Sequence, residues 1–279
     1  MLNAHALRTA FSALNLEDRP VIAHGGFRRF GPVEGGGETV IQALLENTRG
    51  VMMPTFTYKT MVTPQVGPPD NGLRYDSGGD HNKRVEAFQP DMIPDKMIGI
   101  LPWVLIQQPG AKRTTHPILS FGGVGVDKGL ARQTLADPLA PISWLAEQKG
   151  SVVLINVDQT VNTSIHYAEK LLGRRQFLRW ALLPDRIVEC PGYPSDSTGF
   201  QGLEPYIRED LRRIEVRGAF IQTIPLDRLF AAVETALRRD PLALLCQRLD
   251  CGRCNAVRRD RTFTVRTPSP FLKERVRPS

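Results

Sequence analysis

A chain of 279 residues, of which 41% are hydrophobic and 23% charged, is long enough to bury a sizeable core, as one large domain or two small ones. It has no run of 18 apolar residues, and its first 20 residues lack the basic and apolar regions of a secretory signal. The sequence therefore predicts no transmembrane helix, and we expect a cytoplasmic protein without a membrane partner.

The formal net charge of +7 is concentrated at the carboxyl end of the chain. Residues 251–279 hold eight Arg and Lys against Asp260 and Glu274, a net charge of +6, which leaves +1 for the first 250 residues. We therefore predict a domain over 1–250 and a basic tail over 251–279. The tail has few aromatic residues and no nucleic-acid motif, so we expect it to be solvated or packed on the domain, with no nucleic-acid partner.

The first predicted elements form a βαβ unit. An amphipathic helix near the amino terminus precedes a buried strand, Val21 to Ala23. A glycine-rich turn and a helix follow over 31–47, and then a strand over 50–58 that Pro54 breaks. Strand, turn, helix and strand in this order predict a parallel sheet in an α/β fold.

The rest of the chain alternates between loops, helices and strands. A long loop rich in Pro, Gly and Asp has the composition of a functional loop. In chain order, we predict this loop over 60–95, a helix over 95–110, a strand-like segment over 115–127, a short helix over 141–150, a β-branched central strand over 151–157, a helix over 163–173, short strands and turns over 176–225, and mostly helical structure over 221–247 with a break at Pro241.

The sequence NTSIHYAE, residues 162–169, follows the predicted central strand at its carboxyl end, where α/β folds bind ligands. Asn162, Thr163 or Ser164 would cap the next helix. His166 and Glu169 are three residues apart, so Glu169 would orient the imidazole through one nitrogen and leave the other nitrogen to accept a proton. The stretch predicts a general base; the alternative is an ordinary capped helix with a surface His–Glu pair.

Two further patterns allow a ligand without requiring one. The glycine run GPVEGGGET, 31–39, opens a helix after a strand and would suit a phosphate, but it matches neither the dinucleotide fingerprint nor the P-loop. The three cysteines Cys246, Cys251 and Cys254 have the spacing C-x4-C-x2-C, which would form a zinc site if Cys190 or Asp250 completed it. Free thiols are the alternative, and we expect no metal.

Together these pieces resemble one family, the aminoglycoside 3-N-acetyltransferases, also called antibiotic N-acetyltransferases. The matching blocks are VIAHGGF with GPVEGGGETVIQALLE, GVMMPTFT, MIGILPWVLIQQPGAKRTTHPILSFGGVG, DPLAPISWLAEQKGSVVLINV and NTSIHYAE, within 20–170. The resemblance implies an α/β fold with a central, mostly parallel sheet, helices on both faces and a long insertion loop. That fold is unrelated to the common GNAT acetyltransferases.

The resemblance also implies acetyl transfer from acetyl-CoA, the cosubstrate, to an amine of a small molecule. His166 would be the general base, Glu169 its orienting partner, and Thr163 would lie near the thioester carbonyl. The cofactor-binding residues implied by the matching blocks are Gly35, Gly36, Thr39, His116 and Ser120.

The chain departs from the family pattern in ways that bear on both substrates. Gly25 and Gly26 stand where the family usually has two serines, and Ala140 replaces a further serine. Aminoglycosides are polycations that an acidic cleft attracts, whereas this chain is nearly neutral over its first 250 residues. We therefore expect an acceptor amine less cationic than an aminoglycoside.

Two alternatives to this function stay open at the level of sequence. In the first, the chain keeps the fold of the family but reacts with another acyl donor or acceptor in a biosynthetic pathway. Alternatively, the chain would bind zinc or a partner and have no CoA activity. The sequence allows a homodimer but does not determine the oligomeric state.

Overall fold

The computed structural model describes residues 1–260 and 263–265. The helices of these residues are α1 (Ala4–Ser12), α2 (Gly36–Glu46), α3 (Gly79–Asn82), α4 (Leu101–Ile106), α5 (Asp127–Leu130), α6 (Pro141–Glu147), α7 (Thr163–Leu171), α8 (Glu204–Ile207), α9 (Leu226–Arg239) and α10 (Gly252–Arg259). The strands are β1 (Pro20–Gly25), β2 (Gly50–Pro54), β3 (Met61–Val62), β4 (Lys112–Arg113), β5 (Phe121–Val124), β6 (Ser151–Ile155), β7 (Phe177–Leu182), β8 (Ile187–Tyr193), β9 (Arg212–Val216) and β10 (Ala219–Pro225). Within the described part of the chain, no helix has both the length and the apolar character needed to cross a membrane.

A seven-stranded central sheet has the strand order β4-β5-β2-β1-β6-β10-β9. The middle strands β2, β1 and β6 pair in parallel, and β5 and β10 run antiparallel to them on either side. Because β4 and β9 reverse direction once more, five of the seven strands point the same way. The prediction of a mostly parallel α/β sheet is confirmed. Strands β3, β7 and β8 form a second, antiparallel sheet.

Helices cover both faces of the central sheet because alternate residues of each strand point to opposite sides. On β1, Val21 and Ala23 lie in one core with residues of α1, α2 and α4. Ile22, between them, lies in the other core with residues of α6, α7 and α9 and of the second sheet. The fully buried middle strands carry apolar residues on both faces, which is the pattern that predicted them.

Three predicted segments have different boundaries in the structure. The helix predicted over 95–110 is confined to α4, because Gly99 adopts a positive φ of +89° and separates α4 from a short 3-10 turn, Lys96–Ile98. The strand-like segment 115–127 is strand only in β5. The helical prediction for 221–247 is wrong at its start, since 221–225 belong to β10, which pairs with β6. Pairing with a distant strand outweighs local propensity there.

The described part of the predicted basic tail packs on the rest of the chain. Helix α10 buries Cys254, Ala256 and Val257 in the same core as α7 and α9. The ring of Phe263 lies 5.3 Å from the guanidinium carbon of Arg174. A boundary at residue 250 stays a prediction, and 261–262 and 266–279 lie outside the described residues.

Candidate active site

A cleft of about 570 Å³ opens at the carboxyl ends of the parallel strands. Part of its lining, here called the helix wall, consists of 23–26 at the end of β1 with Asn162, Thr163 and His166 around the start of α7. Another part, here called the loop wall, consists of 193–198, which begin at the last residue of β8, with Arg253 of α10. The cleft therefore lies where open α/β sheets bind ligands.

The start of α7 is capped by Asn162, one of the three predicted candidates. Its backbone is extended, and its side-chain oxygen accepts a hydrogen bond from the Ser164 amide at 3.1 Å. Its amide nitrogen donates to Gln159 Oε1 at 2.9 Å, which fixes the cap. Thr163, the first helical residue, lines the cleft. The partly free amides of the first helical turn therefore lie beside the ligand space.

His166 and Glu169 contact each other within the protein. His166 Nδ1 lies 3.3 Å from Glu169 Oε2, and the two side chains are 10% and 1% exposed. The ring of Phe200 packs against the imidazole at a centroid distance of 4.5 Å and an interplanar angle of 61°. The pair is thus buried and oriented, not a surface pair. With Nδ1 donating to Glu169, Nε2 is left as the acceptor on an imidazole that lines the cleft.

Two further side chains contact the Glu169 carboxylate. Ser195 of the loop wall donates to Oε2 at 3.2 Å. Arg174, whose side chain is fully buried, places Nε 3.7 Å from Oε1 and donates through Nη2 to the Ala243 carbonyl at 3.0 Å. The cation balances the buried carboxylate, which in turn contacts the imidazole. The sequence analysis missed both Ser195 and Arg174, because both contacts depend on the folded chain.

The loop wall is held by charged side chains. Arg253 Nη1 donates to the carbonyls of Pro194 and Ser195 at 3.0 and 2.9 Å. Asp196 Oδ2 accepts from Arg248 at 3.1 Å and from Arg253 at 3.4 Å. Burial alone would raise the pKa of Asp196, but hydrogen bonds from Thr198 and the two arginine charges outweigh it and lower that pKa. The one local signal of this arrangement is the Asp-x-Thr pattern of an Asx-turn.

A second histidine, His24, lines the cleft but is unsuited to act as a base. Burial lowers its pKa from 6.5 to about 3. Its Nε2 atom is buried and has no hydrogen-bond partner among the described residues. An imidazole with so low a pKa is a weak proton acceptor, so His24 is a poor general base. The other imidazole of the lining, His166, has the Glu169 carboxylate as its partner.

The predicted glycine turn lies outside the lining of this cleft. Gly35 and Gly36 have φ values of +73° and +65°, which glycine adopts without strain, and they start α2. Thr39 Oγ1 donates to the Glu34 carbonyl at 2.6 Å and closes the turn. The backbone conformation of this turn is therefore sufficient to explain its glycine-rich sequence. Binding of CoA phosphates at this turn stays a prediction.

His116 and Ser120 also lie outside the lining, although the resemblance implied that they would share the cleft. His116 Nδ1 accepts from the Ile118 and Leu119 amides at 3.1 and 3.0 Å, and burial lowers its pKa to about 4. It borders a different cavity of about 540 Å³. Ser120 Oγ is buried and donates to the Thr55 carbonyl at 2.8 Å. Both side chains are used to shape the turn before β5, so a contact with CoA stays a prediction.

Gly25 and Gly26, at the positions where the resemblance implied serines, differ in their surroundings. A Cβ atom on Gly25 would lie 2.5 Å from Leu101 Cδ1, whereas one on Gly26 would lie 3.2 Å from Val157 Cγ1. The Leu101 side chain thus occupies the space that a serine at position 25 would need. Glycine at position 25 therefore permits the close packing of Leu101 of α4 against the end of β1.

The three clustered cysteines meet an acidic side chain from the loop wall. The metal-binding atoms of Cys246, Cys251, Cys254 and Asp196 all lie within 4.8 Å of one another, and all four residues are buried. The candidates for a fourth ligand from the sequence, Cys190 and Asp250, are not in this group. Asp196 was not predicted because a loop distant in sequence brings it to the cysteines.

The fold and the cleft together define a mixed α/β protein with a ligand site at the carboxyl ends of its parallel strands, and solved structures share this fold. The apoenzyme of aminoglycoside acetyltransferase AAC(3)-IVa superposes with a TM-score of 0.72 at 21% identity, covering 92% of this chain and 97% of that one. A structure described as AAC-IIIb binary with CoASH gives a TM-score of 0.67 at 19% identity, with coverages of 85% and 96%.

Sequence comparison identifies the family. Residues 22–238 match the family model described as aminoglycoside 3-N-acetyltransferase. The chain therefore belongs to this family. It is 30% identical over 163 residues to aminoglycoside N(3)-acetyltransferase III of Salmonella sp, an alignment that covers 53% of each protein. The chain thus spans about half the length of the curated relatives it matches.

Proposed function

We propose that the protein is an acetyl-CoA-dependent N-acetyltransferase that acetylates an amine of a small molecule, with His166 as the general base. The observation that carries the proposal is the buried His166–Glu169 pair, at 3.3 Å, on a cleft at the strand ends of a chain that belongs to this family. A relative of the same fold, AAC-IIIb, is described with CoASH bound, which supports acetyl-CoA as the cosubstrate.

The reaction needs a proton acceptor because an ammonium nitrogen has no lone pair with which to attack a thioester. The ammonium first loses one proton to solvent and becomes a neutral amine. In the proposed mechanism, His166 Nε2 then removes a second proton from this nitrogen as it attacks the acetyl carbonyl. The new C–N bond forms, the C–S bond breaks, and the CoA sulfur leaves with its electron pair and takes the proton from the imidazolium. Glu169 holds Nδ1–H and stabilises the imidazolium, and Arg174 keeps the buried carboxylate charge-balanced.

Thr163 is the proposed stabiliser of the oxyanion that develops on the thioester carbonyl. It is the first residue of α7 and lines the cleft on the same wall as His166. The first turn of a helix carries free amides and a partial positive charge, which favour a developing negative charge. Thr163 would therefore act together with the start of α7.

The charges around the cleft support an acceptor less cationic than an aminoglycoside. Among the described residues of the lining, Asp196 is the acidic side chain and Arg253 the basic one besides the two histidines. Asp196 is already paired with Arg248 and Arg253. A polycation would find no net negative charge on these walls. We therefore propose a neutral or zwitterionic molecule that carries a single reactive amine.

The experiment measures CoA release with a thiol reagent over a panel of amines that includes neutral, zwitterionic and polycationic members. For an amine that is turned over, His166→Ala is expected to lower kcat by about 10²- to 10⁴-fold. Calorimetry of CoA binding to His166→Ala shows whether the cosubstrate site is retained. His5→Ala, on the exposed side of α1, is the matched control and is expected to keep wild-type kcat.

Two results would contradict the proposal. Full activity in His166→Ala would exclude His166 as the base. Absence of acetyl-CoA binding by the wild-type chain would exclude acetyl transfer altogether. A strong preference for polycationic amines would contradict only the proposed acceptor class.

A further inference from the structure

We propose that Asp196, Cys246, Cys251 and Cys254 bind one structural Zn²⁺ ion, which fixes the loop wall of the cleft to α10. The proposal goes beyond acetyl transfer, because it concerns a metal site that takes no part in the reaction steps above. It rests on the geometry, the burial and the charge of the four side chains and their neighbours.

The distances suit a tetrahedral ion. The four candidate ligand atoms lie within 4.8 Å of one another. A tetrahedron with Zn–S bonds of about 2.3 Å has edges of about 3.8 Å, so small rotations of these side chains would complete it. The residues are 0–7% exposed, which is typical of a closed structural site and unlike an exposed acidic cluster.

The local backbone places the cysteines for a common ligand. Cys251 is the N-cap of α10, and Cys254 lies in the first turn of that helix, so a C-x2-C pair spans the helix start. Cys246 comes from the segment just before. Asp196 approaches from the loop wall, where Thr198 fixes Oδ1 by a backbone hydrogen bond of 3.0 Å. Three soft thiolates with one carboxylate favour zinc over calcium or magnesium, which prefer oxygen ligands.

The surrounding charges match an occupied site. A Zn²⁺ ion with three thiolates and one carboxylate carries two net negative charges. Arg248 and Arg253 contact Asp196 at 3.1 and 3.4 Å and supply two positive charges. With three neutral thiols instead, the two guanidinium groups would share a single carboxylate. The two arginines thus balance the metal-bound form of the cluster.

The site would connect the metal to the proposed catalytic pair through the chain itself. Asp196 follows Ser195, whose hydroxyl donates to Glu169 at 3.2 Å. Arg253, between the two cysteines of the C-x2-C pair, donates to the carbonyl of the same Ser195 at 2.9 Å. Zinc binding would therefore hold both the backbone and the side chain of Ser195 in place, as outer partners hold the ligands of known sites.

The first experiment measures zinc by elemental analysis on the full chain, purified with reducing agent and without chelator. We expect one equivalent in the wild type and less than about a tenth of an equivalent in Cys254→Ala, because two thiolates and one carboxylate bind zinc weakly. Cys190→Ala is the matched control, since burial raises the pKa of the Cys190 thiol to about 12 and it lies outside the cluster. It is expected to keep one equivalent.

A second variant covers the case in which Cys254→Ala does not fold. Asp196→Asn keeps the side-chain shape, and we expect it to release zinc to a chelating dye at least about tenfold faster than the wild type. Cobalt in place of zinc should give thiolate-to-metal charge-transfer absorption in the wild type and in Cys190→Ala. These readouts do not depend on CoA or on turnover, so they test the site separately from the proposed function.

Three outcomes would overturn the proposal. The first is a folded, reduced wild-type chain that holds no zinc after incubation with zinc salt. The second is a mass lower by two hydrogens that assigns a disulfide within the cluster. The third is a zinc content that Cys190→Ala and Cys254→Ala reduce equally, which would place the metal elsewhere or make it nonspecific.

Discussion

The two walls of the cleft are held in place by different kinds of interaction. The helix wall rests on backbone hydrogen bonds, since the end of β1 pairs with β6 at Gly25 and Ile155, and Asn162 caps α7 beside it. The loop wall rests on side chains from α10 and the segment before it, chiefly Arg253 and Arg248. A base needs a rigid support, which the sheet provides, whereas the loop wall depends on long-range contacts.

The walls meet at one carboxylate. Glu169 accepts from His166 of the helix wall and from Ser195 of the loop wall, and Arg174 lies behind it. Changes at Glu169 or Arg174 should therefore affect both walls, while changes at Arg253 or at β1 should affect one. The following predictions use this distinction.

The largest effect is expected for Arg174→Met, which leaves the Glu169 carboxylate buried without its cation. Removing one partner of a buried ion pair costs about 3–5 kcal/mol of the free energy of unfolding. Urea denaturation measures the loss. The control is Arg186→Met, whose ion pair with Asp185 is exposed and contributes about 0–1 kcal/mol. Equal losses in the two variants would show that the Arg174–Glu169 pair contributes no more to the free energy of unfolding than an exposed ion pair does.

Arg253→Met should disturb the loop wall alone. Two buried carbonyls, of Pro194 and Ser195, lose their donor, and each unsatisfied group costs about 1–3 kcal/mol. We expect a loss of about 2–4 kcal/mol in urea denaturation and a rise in the KM of the acceptor that exceeds the fall in kcat. Arg259→Met, in the same helix but on an exposed pair with Asp70, is the control. A fall in kcat alone would indicate that Arg253 contributes to the chemical step and not to the position of the loop wall.

The helix wall should make the protein sensitive to acid through His24. Its pKa is about 3 in the folded chain and 6.5 when unfolded, so between these values the unfolded chain binds a proton that the folded chain does not. The free energy of unfolding therefore falls as the pH drops below 6.5, by about 2 kcal/mol at pH 5. His116 adds a loss of the same sign.

His24→Gln removes the first of these contributions. Thermal unfolding at pH 7 and pH 5 should show a smaller decrease in Tm for this variant than for the wild type. The exposed His5→Gln variant serves as the comparison and should keep the wild-type decrease. The assignment fails if His24→Gln loses as much stability at pH 5 as the wild type does.

The smallest predicted effect is a difference in stability between serine variants at the two glycines of the helix wall, Gly25 and Gly26. Gly25→Ser should cost about 1 kcal/mol, because its Cβ would lie 2.5 Å from the end of the flexible Leu101 side chain, which has to move. Gly26→Ser, with its nearest contact at 3.2 Å, should cost less. Differential scanning calorimetry of both variants measures the order. A larger loss for Gly26→Ser would mean that Leu101 does not restrict this wall.

Local patterns predicted the parts of the site that lie close together in the chain. His166 and Glu169 are three residues apart, and helical periodicity brings such residues to one face. The βαβ pattern predicted the sheet edge on which they lie. Ser195, Arg174 and Arg253 could not be predicted in this way, because their contacts depend on how separate segments pack. The resemblance to the family also named His116 and Ser120, which the structure places outside the cleft lining.

By itself, the sequence determined the α/β class, the capped start of α7 and the spacing of the three clustered cysteines, because each depends on neighbouring residues and on the periodicity of one element. Only the tertiary structure decided that the His–Glu pair is buried and that Asp196 lies beside the cysteines. The physical reason is that burial and charge pairing are set by segments far apart in the chain, and their contacts form only when the core around α7, α9 and α10 is complete.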